Sequence, residues 1–315
     1  MHLLALPNDI LQLILGRLDT KSLLTAACTC STFRQLSMLV PSLRPNITPS
    51  NWQLLSRWLA RDHVKKRVTV LRASRALGPA HRLALAEFVN LRMFSAICCK
   101  IHASIFHNLP QSSLLCLSIH RLSPATSDVF STKLLKGFTR LRRLYLTFGP
   151  GWSIMVITEG LPKTLEVLQI RRIPVLLIKA PLPAISISLH AFETIVAPQP
   201  LSMPHCHMLF LQTDEDPLDL TRLLPMQPWT LRRLILVSPG FISFPSLEEG
   251  NALTDLEIDT GMIRLPDMRA LTNLKRLRVH VHHSFIFDTI SLLPAGLEKV
   301  DLRHAGRPLR LSHYF

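Results

Sequence analysis

Two histidine-rich segments are the residues of this chain best suited to hold a metal ion. His205 and His207 flank Cys206, and three more histidines occur within residues 280–283. Alternate residues of a strand face the same side, so His205 and His207 could reach the same ion. A structural zinc site needs four converging ligands, and no second ligand cluster lies at the spacing of a zinc finger. The sequence therefore predicts no bound metal and no other cofactor.

Motifs for nucleophilic catalysis and phosphate binding are missing from the sequence. It contains no GxSxG, no HExxH and no glycine-rich phosphate loop, and its 11 glycines offer few tight turns for an active site. The adjacent Cys98 and Cys99 suit a position beside a core strand, where a thiol is inert. We therefore expect a protein that is not an enzyme.

The composition predicts a small module followed by a larger, regularly patterned body. Of the 315 residues, 48% are hydrophobic but only 6% aromatic, so the core must be largely aliphatic. The N-terminus lacks the basic start of a secretory signal, and no long uncharged apolar stretch predicts a membrane helix. Six scattered cysteines are typical of a reducing compartment. We expect a cytoplasmic or nuclear protein without a membrane partner.

The positive charge is unevenly distributed. The formal net charge is +15, yet residues 181–270 hold five basic and eleven acidic residues. Residues 40–109 hold eleven basic and two acidic residues. Such a distribution predicts separate charged patches rather than one cationic stripe.

A six-residue pattern, Leu-x-x-Leu-x-Leu, recurs along most of the chain. The firm copies are LLCLSI at Leu114, LRRLYL at Leu141, LEVLQI at Leu165, LRRLIL at Leu231, LTDLEI at Leu253, LKRLRV at Leu274 and LEKVDL at Leu297. Weaker copies are LRMFSA at Leu91, CHMLFL at Cys206 and KKRVTV at Lys65. Most copies follow one another at 21 to 27 residues. Residues 165–206 depart from this period and hold either one stretched repeat or two short ones, around LPAISI and FETIVA.

Each copy of the pattern predicts a short strand with one apolar face. A single strand cannot bury that face, whereas stacked repeats form a continuous apolar core. The residues predicted to be buried in this core are Leu144, Leu168, Leu234, Leu256 and Leu277. The early repeats have room for helices, in SNWQLLSRWLARD and GPAHRLALAEFVNL.

The first forty residues follow the pattern of three short helices. Asn8 or Asp9 is the predicted cap of the first, and Ser22 that of the second. The third covers about residues 30–39. Three short helices make a small core, so their surplus apolar face predicts a docking surface.

The segment LPNDILQLILGRLDTKSLLTAACTCSTFRQL resembles the F-box. The similarity runs from Leu6 and Pro7 to Phe33 and Arg34, with Phe33 where the family often has Trp and Cys28 where it often has Val. The later pattern resembles the leucine-rich repeat family, although the Asn or Cys that usually follows the strand is missing. F-box proteins often combine these two modules.

The resemblance implies an α/β fold in three parts. Residues 3–42 form a three-helix F-box, and residues 43–63 form a linker and a first convex helix. Residues 64–315 form an irregular leucine-rich repeat solenoid with parallel strands on its concave face.

The resemblance also implies a function in ubiquitination. The chain is then the substrate-recognition subunit of an SCF-type ubiquitin ligase, docking on the Skp-type adaptor and through it on the cullin–RING ligase. The residues that the resemblance assigns to adaptor binding are Leu6, Pro7, Ile10, Leu11, Ile14, Leu18, Leu23, Leu24 and Phe33.

The face of the strands opposite the core is the expected substrate surface. Strand alternation places the residues two and four positions after each anchor on that face. The residues predicted to bind substrate are Arg143, Tyr145, Gln169, Met208, Phe210, Arg233, Ile235, Arg276 and Arg278. Their arginines suit an acidic or phosphorylated segment of a target protein.

One alternative function remains open. The chain could be a leucine-rich scaffold outside any ligase, binding a protein or, through its basic N-terminal half, nucleic acid. Basic pairs recur in four of the repeats, at residues 142–143, 171–172, 232–233 and 275–276, and could line up phosphates. Only 2 tyrosines and 4 tryptophans are available to stack on bases, which disfavours nucleic acid.

Overall fold

A computed structural model of the chain describes residues 6–40, 42–74, 85–97, 101–124, 127–214, 217–224, 230–245, 251–286 and 293–308. The predicted pair Cys98 and Cys99 lies outside these residues. The chain divides into two compact units. Unit 1 comprises Met1–Ser123 and Gly137–Leu141, and unit 2 comprises Pro124–Lys136 and Arg142–Phe315.

Unit 1 begins with the three predicted helices, which are α1 (Asn8–Arg17), α2 (Thr20–Thr29) and α3 (Ser31–Leu39). Their buried apolar residues are Leu11, Leu15, Leu23 and Leu36. Leu11 and Leu15 are four residues apart and therefore lie on one side of α1. The prediction of a three-helix N-terminal region is confirmed.

The helix caps differ from the predicted ones. α1 follows Pro7 without a capping side chain, and Asn8 begins the helix itself. α2 is capped by Asp19, whose carboxylate accepts a hydrogen bond from the Ser22 backbone N–H at 2.8 Å. Asp19 lies three residues before that N–H, which is the position a capping side chain must occupy. The hydrogen bond holds the pKa of the Asp19 carboxyl below its usual range.

The remaining helices are short. They are α4 (Trp52–Leu59), α5 (Asp62–Lys65) and α6 (Ile105–Asn108) in unit 1, and α7 (Leu220–Leu223) in unit 2, with 3-10 turns at Leu85–Glu87 and Thr132–Leu135. The helix predicted in SNWQLLSRWLARD is α4. The described part of GPAHRLALAEFVNL holds only a 3-10 turn, and its residues 78–84 lie outside the described part. No helix among the described residues is long and apolar enough to span a membrane.

The strands of unit 1 pair in parallel. They are β1 (Asn46–Ile47), β2 (Val70–Ser74), β3 (Met93–Ile97), β4 (Ile101–His102) and β5 (Cys116–Ser123). β2 lies between β1 and β3, while β5 pairs with both β3 and β4. The parallel pairing therefore begins at β1, inside the segment predicted to be a linker.

The strands of unit 2 form a longer parallel series. They are β6 (Val129–Ser131), β7 (Arg143–Phe148), β8 (Ile154–Ile157), β9 (Val167–Ile178), β10 (Ser186–Val196), β11 (Met208–Thr213), β12 (Leu218–Asp219), β13 (Arg233–Ser243), β14 (Asp255–Arg264), β15 (Arg276–Ile286), β16 (Lys299–His304) and β17 (Arg307–Pro308). The main ladder runs β7, β9, β10, β11, β13, β14, β15, β16. A second ladder joins β6, β8 and the end of β9, and β12 pairs with the end of β13. Only β17 is antiparallel among the described strands.

The core of unit 2 is a stack of aliphatic side chains. Leu144 pairs with Leu168, and Leu234 pairs with Leu256, which pairs with Leu277. All five are at most 2% exposed, so their predicted burial is confirmed. Together with the N-terminal helices, these parallel strands confirm the predicted α/β architecture, a three-helix region followed by a parallel-strand solenoid.

The structure gives the register of two segments that the sequence left open or assigned wrongly. Residues 165–206 hold two repeats, because β10 adds a complete strand in which Ile187 and Leu189 are buried. FETIVA is the second half of that same strand. The register of KKRVTV was wrong, because Val70 pairs with Met93, which makes Val68 the counterpart of Leu91. Val68, Leu71 and Ala73 are the buried positions of this repeat.

Gly261 lies where β14 passes very close to its neighbour. A Cβ atom at this position would lie 1.9 Å from the Pro239 carbonyl oxygen, which belongs to the β13 backbone. We expect Gly261→Ala to lower the free energy of unfolding by about 1–3 kcal/mol, because backbone atoms must move apart. Gly16→Ala is the control, since a Cβ there meets no atom within 4 Å. In α1 it should raise stability by up to about 1 kcal/mol in denaturant titrations.

Candidate functional site

The outer side of α1 carries a row of exposed apolar residues. Ile10, Ile14 and Leu18 are 43%, 38% and 37% exposed, and their spacing of four residues aligns them along the helix. Leu13, beside this row, is 64% exposed. Leu11 and Leu15 face the core instead. α1 is therefore apolar on two sides, and only one of them is used by the core of unit 1.

The end of α3 carries exposed apolar residues of its own. Met38 and Leu39 are both exposed by more than half. The Gln12 side-chain amide donates a hydrogen bond to the Leu39 carbonyl at 3.2 Å, which joins α1 to the end of α3. We call Ile10, Leu13, Ile14, Leu18, Met38 and Leu39 the apolar docking face.

The nine residues predicted to bind the adaptor fall into three groups. Pro7, Ile10, Ile14 and Leu18 are exposed. Leu6, Leu24 and Phe33 are half-buried. Leu11 and Leu23 are buried in the helical core, so any effect they have on docking must act through the positions of the helices. The sequence analysis did not assign Leu13, Met38 and Leu39 to adaptor binding. Their helical spacing from the buried residues could have indicated that they are exposed.

Arg67 fixes α3 to the first strands of unit 1. Its guanidinium donates hydrogen bonds to the backbone carbonyls of Ser37, at 2.7 Å, and Val40, at 2.8 Å. Both carbonyls lie where α3 ends and backbone acceptors lose their helical donors, although the Ser37 carbonyl also accepts from the Val40 N–H at 3.4 Å. The Leu43 N–H also donates to the Arg67 carbonyl at 2.8 Å. Burial lowers the pKa of Arg67 from its ordinary value, although the group stays charged. Nothing in the local pattern around Arg67 indicated this role.

All nine predicted substrate-binding residues lie on one face of the main ladder in unit 2. The strand register aligns them in two rows, opposite the buried leucines. The first row is Arg143, Val167, Ser186, Met208, Arg233, Asp255, Arg276 and Lys299. The second row is Tyr145, Gln169, Ser188, Phe210, Ile235, Glu257, Arg278 and Asp301. We call these two rows the sheet face.

The strand β10 changes the composition of the sheet face. It places Ser186 and Ser188 between β9 and β11, and the sequence alone did not place either residue there. Tyr145 and Phe210 are consequently three strands apart rather than two. Both are half-buried, as are Met208 and Ile235. Between Arg143 and Arg233 the sheet face is therefore uncharged and combines apolar with small polar side chains.

Ion pairs occupy the part of the sheet face formed by β13, β14 and β15. Glu257 lies between two arginines, 3.5 Å from Arg233 and 3.1 Å from Arg278. Arg276 pairs with Asp255 at 3.3 Å. Three of the four predicted substrate-binding arginines thus already have acidic neighbours. Arg143 forms no ion pair among the described residues.

The C-terminal end of the sheet face is also paired. Arg278 and Arg303 both contact Asp301, at 3.7 Å and 3.0 Å. The hydrogen bond from Arg303 is the main reason why the pKa of the Asp301 carboxyl is lowered. An incoming anion would have to compete with these carboxylates.

The histidine-rich segments do not assemble into a metal site. Within the described part of the chain, no three His, Cys, Asp or Glu side chains converge. His282 Nε2 lies 2.6 Å from Asp259 Oδ1, an ordinary pair between neighbouring strands. Cys206 is buried, its thiol donates to the Met208 carbonyl at 3.2 Å, and burial raises its pKa to about 12. A thiol of this kind is not a nucleophile at neutral pH.

Comparison with known proteins assigns the N-terminal helices. Residues 3–44 match the model of the F-box domain. No curated protein matches the chain. The matched segment contains all three helices together with the apolar docking face, and F-box domains in general bind Skp-type adaptors. The chain therefore carries an N-terminal F-box domain.

Proposed function

We propose that the chain is a substrate receptor of an SCF-type, cullin–RING ubiquitin ligase. Its F-box docks on the Skp-type adaptor, and the sheet face of unit 2 holds the target protein. The chain itself contributes no catalytic group. It acts in the cytoplasm, the nucleus or both, where the ligase subunits and their targets meet.

The observation that carries this proposal is the apolar docking face within the F-box match. Six large apolar side chains on α1, its C-terminal end and α3 are exposed within residues 10–39. Exposed apolar residues that occur singly need no explanation, but six on two contacting helices indicate a binding surface. Since an F-box domain is present, the adaptor is the partner that fits this surface.

We assign the repeats to the leucine-rich class. Each strand of the main ladder from β7 to β15 buries two alternate aliphatic residues, for example Leu144 and Leu146 in β7, and β16 buries Leu302. That alternation leaves a long row of side chains free for contacts with a partner. The repeats would then provide the target-binding surface.

The mechanism is proximity. A ligase holding a target lysine beside a ubiquitin-loaded conjugating enzyme converts a bimolecular encounter into a nearly intramolecular reaction. The receptor supplies the two binding surfaces. Within unit 1, the hydrogen bonds of Arg67 join the end of the F-box helices to the segment that leads into the first strands.

The target-binding part of the proposal is tested on Tyr145 and Arg143. We expect the double variant Tyr145→Ala, Arg143→Glu to lose its target protein while it retains the adaptor. Tyr145 is the aromatic residue at the start of the second row, and Arg143 has no ion pair to satisfy its charge within the described residues. Aromatic and arginine side chains are the residue types that contribute most at protein interfaces.

Proteins co-purified with wild type after proteasome inhibition would be compared with those co-purified with the double variant. Arg232→Glu is a matched control, because this exposed residue precedes β13 and lies outside both rows. The control should retain the target. An identical set of captured proteins from wild type and the double variant would place the target surface elsewhere on the chain.

A further inference from the structure

A basic cavity lies at the carboxyl ends of three neighbouring strands of unit 2. Its volume is about 450 Å³, and it is lined by Lys133, Lys136, Thr158, Glu159 and Lys179. Lys133 lies in the 3-10 turn that follows β6, and Lys136 lies just after that turn. Lys179 directly follows β9, and Thr158 directly follows β8. The parallel pairing of these strands therefore brings the three lysines together.

Hydrogen bonds hold the floor of this basic cavity in place. The fully buried Thr132 hydroxyl donates to the Thr158 carbonyl at 3.0 Å and accepts from the Thr158 N–H at 2.9 Å. The Lys179 N–H donates to the Ile157 carbonyl at 2.8 Å. The turn that begins at Thr132 and the backbone of Lys179 are therefore both hydrogen-bonded to the end of β8 and the residue after it.

The basic cavity has an excess of positive charge. Lys133, Lys136 and Lys179 are exposed, and none of them forms an ion pair within the described part of unit 2. Glu159 is the one carboxylate in the lining. This differs from the sheet face, where the arginines are largely neutralised by acidic neighbours. Unpaired ammonium groups around a cavity attract anionic oxygens.

A second cavity adjoins the first and shares Lys179 with it. Its volume is about 320 Å³, and the apolar part of its lining consists of Ile178, Ala180, Pro181, Pro198, Pro200 and Leu201. The two loops that form it are tied together, because the Leu182 N–H donates to the Ser202 carbonyl at 2.9 Å. Three prolines restrict these loops further, so little conformational entropy is lost on binding.

We propose that these adjoining cavities bind an extended acidic segment of a partner protein. Carboxylates of the segment contact the three lysines, and a neighbouring apolar side chain lies against the prolines. The inference rests on the proposed function only for the source of the segment, which would be the target protein. The binding itself is a property of unit 2 and needs no adaptor.

An acidic peptide fits the two cavities better than the other anions. A nucleic acid strand would need aromatic or arginine platforms for its bases, and neither cavity contains one. A single free phosphate would leave the proline-lined cavity unused. A peptide can use both cavities, because one segment can carry carboxylates next to an apolar side chain.

Fluorescence anisotropy of a labelled peptide tests this inference with the full-length chain. The probe is a hexaglutamate peptide with one terminal leucine. We expect the triple variant Lys133→Glu, Lys136→Glu, Lys179→Glu to bind it at least about tenfold more weakly, since three attractions become repulsions. The triple variant Lys133→Arg, Lys136→Arg, Lys179→Arg keeps the charges and should bind as wild type does.

A matched triple variant separates this site from general attraction to a basic chain. Lys21→Glu, Lys66→Glu and Arg232→Glu change three exposed residues outside the two cavities and alter the net charge of +15 by the same amount. It should retain binding. Equal losses in both Glu variants would overturn the inference, and so would displacement of the probe by equimolar inorganic phosphate or stronger binding of oligothymidine at the lysines.

Discussion

We expect Ile14→Asp to remove binding of the Skp-type adaptor and to leave the chain folded. Ile14 is the centre of the exposed row on α1, between Ile10 and Leu18. An interface that covers this row would enclose the new carboxylate without a partner, which costs several kcal/mol. That cost weakens the adaptor complex on the order of a thousandfold. The unbound chain does not bear this desolvation cost, because the side chain at position 14 reaches solvent.

Ile185→Asp is the matched control for this experiment. Ile185 is an apolar residue of unit 2 with 44% exposure, similar to the 38% of Ile14. Its replacement should leave adaptor binding unchanged in a calorimetric titration. Both variants should show the circular dichroism spectrum of the wild type. If Ile10→Asp and Ile14→Asp together left the affinity undiminished, the docking face would be misassigned.

The second large effect is expected in the core of unit 2. Leu168→Ala should lower the free energy of unfolding by about 2–5 kcal/mol, because it removes apolar contacts and leaves a cavity. Leu168 is fully buried between Leu144 on β7 and Ile187 on β10. A domain has only about 5–15 kcal/mol of stability in total, so the loss should be plain in urea denaturation. In stacked repeats it should extend to the neighbouring strands.

The adjacent residue provides the control for Leu168. Val167 lies on the sheet face and is half-buried, so Val167→Ala should cost well under about 1 kcal/mol. The two substitutions differ by one position along β9. Equal destabilisation by both would mean that the strand register is displaced, because a shift of one residue exchanges the two faces.

The sequence predicted the repeated strands well because burial imposes a period of two. Each strand must present alternate aliphatic residues to the core, and this requirement is visible without any knowledge of neighbouring strands. The prediction of the strand register failed where the apolar pattern is weak. Around the start of β2, the apolar residues Val68, Val70 and Leu71 allow more than one register, and only the pairing with β3 chooses between them.

The composition of the sheet face was harder to predict than its position. The register of Arg233, Glu257 and Arg278 follows from the repeat spacing, but ion pairs depend on side-chain reach between strands. The serines contributed by β10 depended on counting two repeats in an irregular stretch. The lysine cavity was not predicted, because its residues follow strands β6, β8 and β9, which the six-residue pattern marks only in part.

Binding of the purified chain to a purified Skp-type adaptor tests the central claim most directly. We expect the two proteins to elute together from a size-exclusion column as a one-to-one complex at about 1 μM, which corresponds to about −8 kcal/mol of binding free energy. The Ile14→Asp variant should elute separately from the adaptor under the same conditions. Separate elution of the wild-type chain and the adaptor, even at about 10 μM, would contradict the account.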